Sequence, residues 1–193
     1  MRWQDGWFSG ATRLASPNFN ARPQNAPIDL LVIHSISLPP GVYGGPEIQA
    51  LFTNQLDCDA HAYFARLRDM QVSSHFLIRR DGELVQFVSC DKRAWHAGVS
   101  HYRGRDNCND DSIGIELEGL EGETFENAQY ATLSVLCTQL VNKYPIAHIA
   151  GHEDIAPGRK FDPGMGFDWD LLKGKLELSD TFFPHARSGE KKA

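Results

Sequence analysis

The sequence predicts an α/β domain, bordering on α+β, built on a central mixed sheet covered by helices. Three observations predict it. Short β-prone runs recur at residues 30–34, 75–88 and 112–118, the stretch after Thr124 switches to a helical apolar period, and no repeat, linker or low-complexity segment divides the 193 residues. With 41% apolar residues the chain can fill one sizeable core, so residues 1–193 are read as a single domain. About the last dozen residues, ending HARSGEKKA, are polar and read as a flexible tail.

The first run, LLVIH, is bounded by Pro27 and by Pro39-Pro40, which places His34 at the C-terminal end of a strand. PEIQALF then begins with a proline suited to the first helical position and an early acid, and reads as a short helix. In HFLIRRDGELVQFV two β-prone halves meet at Asp81-Gly82, a hairpin signal. SIGIELEG alternates: Ile113, Ile115 and Leu117 can enter a core while Glu116 faces a cleft.

Further on, Tyr130, Leu133, Leu136 or Cys137, Leu140 and Tyr144 fall on one helical stripe that stops near Pro145. A short β-prone segment leads to His152, and FDWDLLKGKL reads as a final helix capped by Asp168. SLPPGVYGGP and APGRKFDPGMG are rich in proline and glycine, but each adjoins a candidate site residue and reads as a shaped loop rather than a boundary.

A formal net charge of -6 gives no broad positive field for nucleic acid or an anionic membrane. No stretch approaches the roughly 20 apolar residues of a spanning helix, and MRWQDGWFSGATRLASP lacks the basic-then-apolar pattern of an export segment. The expectation is a protein that stays where it is made, with no nucleic-acid or membrane partner and no obligate protein partner indicated. The four cysteines, Cys58, Cys90, Cys108 and Cys137, are irregularly spaced without a CxxC pair and are expected to be free thiols.

Residue chemistry next singles out His34, His152 and Asp162. Two imidazoles and a carboxylate can hold a zinc ion and leave a fourth position for water. Donor types permit such a site without establishing it, and unrelated polar loop residues are the other reading. Cys58 with His61, and His96, His101 and Cys108, are looser donor sets without a paired zinc motif. HEDIA is not the HExxH pattern, because Ala156 stands where the second histidine is needed. His75 and His148 sit among apolar neighbours and read as packed, hydrogen-bonded histidines. On residue type alone, Lys160 is a loop lysine beside Arg159, and Glu116 is equally an exposed strand acid or a proton carrier.

The segments SPNFNARP, LLVIHSISLPPG, YGGPEI, LFT, FLIRRDGE, DKRAWHAGVS, CNDDSIGIELEG and GHEDIAPGRKFDPG, in that order, resemble the zinc-dependent N-acetylmuramoyl-L-alanine amidases. That family includes the peptidoglycan recognition proteins, and the likeness spans nearly the whole chain. The combination of DKRAWHAGVS with SIGIELEG is its most specific part.

The resemblance implies the amidase fold, one catalytic Zn2+ held by His34, His152 and Asp162, and Glu116 and Lys160 as catalytic residues. Glu116 would move the water proton, and Lys160 would stabilise the developing oxyanion. It also implies the cytoplasmic, peptidoglycan-recycling branch of the family. There the substrate is an anhydromuropeptide, and the bond cut joins the lactyl group of 1,6-anhydro-N-acetylmuramic acid to L-alanine. Ser35 departs from the family pattern, where asparagine commonly follows the first histidine, and its shorter reach bears on substrate placement. Trp95, His96, Arg66 and Arg105 are further candidate substrate contacts, with packing for Trp95 and surface ion pairs for the arginines as the alternatives.

Overall fold

The computed structural model describes residues 2–185, and six strands form its central sheet. They are β1 (Thr12–Arg13), β2 (Leu30–Ile36), β3 (Phe76–Ile78), β4 (Leu84–Gln86), β5 (Ser112–Glu118) and β6 (His148–Gly151). Their order is β6-β2-β5-β3-β4-β1, parallel throughout except for the antiparallel β3–β4 pair. That pair is the hairpin expected at Asp81-Gly82. Gly82 takes a positive φ of 89° in its turn, a conformation that costs a residue without Cβ nothing. The mixed sheet covered by helices is the fold class that the sequence predicts.

The helices are α1 (Glu47–Phe52), α2 (Asn127–Lys143), α3 (His152–Ile155) and α4 (Trp169–Leu176). In α2 the expected stripe is buried through Tyr130, Leu133, Leu136, Cys137 and Leu140. Its start is set at Glu126, whose backbone N–H donates to Gln129 Oε1 at 3.0 Å while its carbonyl accepts the Gln129 N–H, contacts that the apolar period could not locate. Asp168 caps α4 by accepting from the Leu171 N–H at 2.8 Å, as read from the sequence. Pro46 is the cap of α1 rather than its first residue. No helix among the described residues is long and apolar enough to cross a membrane.

The two sheet faces are treated differently. Leu31, Ile33, Ile113, Ile115 and Leu117 join α2 and α4 in the main core. On the other face two smaller clusters form: Leu30, Val32 and Ala150 pack with Ala97, Tyr102, Cys108 and Ile155, while Leu77 and Val85 pack with Leu38, Leu51, Phe52 and Phe64. Between these clusters, at the ends of β2 and β5, a cavity remains.

All four cysteines are free thiols. His75 is fully buried, taking the Gly114 N–H at Nδ1 (3.0 Å) and facing the Lys92 carbonyl at Nε2 (3.0 Å), so it is the packed histidine expected. Phe183 is buried against Trp169. The first of the last dozen residues, read from sequence as a tail, are thus structured, with Phe182 closing a 3-10 turn and Phe183 packed, and residues 186–193 lie outside the described residues.

Candidate metal centre

Strand β2 continues two residues past His34, so this histidine is inside the strand rather than at its end. Its side chain shares a face with Glu116, its register partner on β5. His152 is the first residue of α3, directly after β6, and Asp162 follows in the loop. Gly151 makes that junction possible: a Cβ there would stand 2.9 Å from Cδ of Pro163, so glycine lets the Asp-Pro segment close onto the strand end.

The three donors converge. His34 Nδ1 lies 2.9 Å from His152 Nδ1, and Asp162 Oδ2 lies 3.3 Å from the former and 3.1 Å from the latter. Two donors bound to one tetrahedral zinc at about 2.0–2.1 Å stand roughly 3.3 Å apart, so this triangle matches the edge of such a site, slightly contracted. A neutral, buried His34 and an ionised Asp162 are the protonation states that metal binding requires. Burial, with His152 beside it, lowers the His34 pKa to about 4. Burial would raise Asp162, but hydrogen bonds with His152 and His34 hold it well below the usual carboxylate range.

The far ring nitrogens are also engaged. His152 Nε2 lies 3.1 Å from the Ala97 carbonyl, which the Arg159 guanidinium also holds at 2.6 Å. His34 Nε2 lies 2.9 Å from His96 Nδ1.

The donors lie in a cavity of about 490 Å³ whose walls include Glu116, Lys160, Ser35, Trp95 and, on the apolar side, Leu38, Phe52 and Tyr63. The Glu116 carboxyl is pushed well above its ordinary range by burial and by the Asp162 charge, with the Lys160 cation pulling the other way. A raised carboxyl beside a metal-binding triangle has the basicity wanted of a proton carrier.

The structure separates the remaining candidates. Ser35 and Trp95 line the cavity, and the Trp95 indole donates to Asn20 Oδ1 at 2.9 Å. His96 also reaches the cavity, but its two ring nitrogens face His34 and Ser112, so it is a support rather than a free wall.

Arg105 is elsewhere: its fork grips Asp29 at 2.7 and 2.9 Å, and its Nε pairs with Asp111 at 2.8 Å. Arg66 is exposed on a 3-10 turn, Phe64–Leu67, and is not among the cavity-lining residues, although Tyr63 and Leu67 are. Arg105 is thus held in ion pairs outside the cavity, while Arg66 is exposed beside two of its lining residues. Sequence reasoning missed Ala97, Asn109, Ser112 and Gly114 as supports of the site. Only their adjacency to quoted motifs pointed to them.

Comparison with known proteins agrees with this geometry. Residues 24–165 match the family model described as N-acetylmuramoyl-L-alanine amidase. The chain is 53% identical over 183 residues to 1,6-anhydro-N-acetylmuramyl-L-alanine amidase AmpD of Escherichia coli (strain K12), covering 94% of this chain and 100% of that one. A crystal structure of a Se-Met AmpD derivative superposes with a TM-score of 0.89 at 52% identity, over 91% of this chain and 99% of that one. The E. coli amidase AmiD, solved with anhydro-N-acetylmuramic acid-L-Ala-D-gamma-Glu-L-Lys, gives a TM-score of 0.57 at 33% identity, over 80% and 60% of the two chains.

Proposed function

Since the chain belongs to the N-acetylmuramoyl-L-alanine amidase family and is an amide hydrolase of that family, we propose that it cleaves anhydromuropeptides. The bond broken joins the lactyl group of 1,6-anhydro-N-acetylmuramic acid to L-alanine of the stem peptide. The observation that carries this reading is the meeting of His34, His152 and Asp162 in one cavity with Glu116. AmpD's printed substrate, and the anhydromuramyl peptide bound to AmiD, supply the chemistry of the ligand.

In this reading His34 Nδ1, His152 Nδ1 and Asp162 Oδ2 would hold one Zn2+, which when bound would supply Lewis acidity and an activated water. Glu116 accepts the proton of the attacking water and delivers it to the departing alanine amine, so one water is consumed and a free carboxylate and amine result. Lys160 places its ammonium toward the carbonyl oxygen as negative charge develops, an effect worth several kcal/mol, approximately, in a closed site. Trp95 offers a flat apolar wall and Ser35 a short hydroxyl to the sugar or peptide. The reading carries a cytoplasmic location and a place in peptidoglycan recycling, and requires no nucleic acid, membrane or obligate protein partner.

Parallel rates of stem-peptide release from anhydro and non-anhydro muropeptides test it. Faster release from the anhydro sugar is expected. Comparable rates on both would undo the recycling assignment, and tight binding without release would make the protein a muropeptide-binding module instead.

A further inference from the structure

His34 is steadied from behind by a chain of side chains. Its Nε2 faces His96 Nδ1 at 2.9 Å, and His96 Nε2 in turn faces Ser112 Oγ at 3.1 Å. The Ser112 hydroxyl donates to the Cys108 carbonyl. If His34 offers Nδ1 to a metal, its single proton is on Nε2 and His96 Nδ1 must accept it. The His96 proton is then on Nε2 and points at Ser112, whose own proton is committed to a carbonyl. Every link has one donor and one acceptor, so the direction of the chain is fixed from the Cys108 carbonyl back to His34.

The fold makes room for this chain and clamps it. Gly114 of β5 lies against the His96 ring, where a Cβ would stand 2.5 Å from Cγ and 2.7 Å from Nδ1. Asn109 Oδ1 accepts both the His96 and Ala97 backbone N–H groups, at 3.0 and 2.8 Å. Thus one dipeptide supports both imidazoles of the site: His96 through its ring and Ala97 through the carbonyl that faces His152 Nε2.

We propose that His96 is a positioning residue. Backed by Ser112 and seated on Gly114, it holds His34 in the tautomer and ring orientation that present Nδ1 to the metal. It acts through His34 and does not touch the reacting atoms. The inference rests on the metal reading given above. Partners of this kind contribute about 10–100-fold to metal affinity.

The test uses the full chain loaded with zinc. Competition against a chromogenic chelator should show His96→Leu, which keeps bulk but has no acceptor, binding zinc at least about tenfold more weakly. His96→Asn, whose Oδ1 occupies the place of Nδ1, should recover affinity to within about threefold of wild type. Zinc bound equally well by His96→Leu, or no recovery in His96→Asn, overturns the proposal.

Long-range 1H–15N correlation on histidine-labelled wild type reads the same point without any substitution. A bare His96 Nδ1 with the proton on Nε2 supports the chain, and a protonated Nδ1 refutes it. A wild type that retains no zinc would instead sink the metal reading itself.

Discussion

Glu116 stands directly opposite His34 across the parallel ladder of β2 and β5. Register partners on adjacent strands project from the same face about 4.8 Å apart, so strand pairing sets the spacing between a candidate metal donor and the proposed proton carrier. A one-residue slip would turn one of the two away from the cavity. Glu116→Gln keeps the shape and removes the base. It should retain zinc and fold while kcat falls by about 10²–10⁴, as read by metal content and single-turnover release of stem peptide. An unchanged rate with zinc still bound would exclude Glu116 from proton transfer.

Arg105→Ala separates structure from substrate contact. The guanidinium ties Asp29 to Asp111 away from the cavity, so its loss should lower Tm while KM for an anhydromuropeptide stays within about twofold below the transition. A large rise in KM at unchanged stability would restore this arginine to the substrate site.

Asp111 makes stability depend on pH. Burial pushes its carboxyl up to about 6, against the pull of Arg105, whereas the unfolded chain titrates near about 3.9. Between those values the folded state binds more protons than the unfolded one, so this group's contribution falls as pH rises, by at most about 3 kcal/mol. Asp111→Asn removes that titration. Its Tm relative to wild type should therefore climb between about pH 4 and pH 7, measured by calorimetry in matched buffers. A constant difference across that range would contradict the assigned shift.

Much of the site was legible because its residues sit in local sequence with strong geometry. LLVIH and SIGIELEG read as strands and the glycines and prolines of GHEDIAPGRKFDPG as a shaped loop, but residue chemistry alone only permits a metal site there, and it is the family resemblance that singles out the three donors and Glu116. What was not legible depends on contacts between distant segments. The role of His96 requires knowing that Gly114 leaves a hole for its ring, and the capture of Arg105 requires Asp29 and Asp111 to meet across the fold. The cap at Glu126 escaped because glutamate is an unusual cap and its partner Gln129 is buried inside the helix.

Metal removal should also destabilise the fold. An ion present at about 1,000 times its Kd contributes about 4 kcal/mol, which in a domain of this size corresponds to roughly 8–16 °C in Tm. Chelator should lower Tm by that order, and added zinc should restore it. Identical melting curves with and without chelator would mean that the triangle of donors holds no ion in solution.

The central claim is that the donors of His34, His152 and Asp162 serve amide hydrolysis. Its most direct measurement is release of free stem peptide from an anhydromuropeptide by one preparation, assayed zinc-loaded, after verified removal of the metal, and after zinc is returned. Release that vanishes with the metal and returns with it is the predicted result; undiminished release by the zinc-free protein would contradict it.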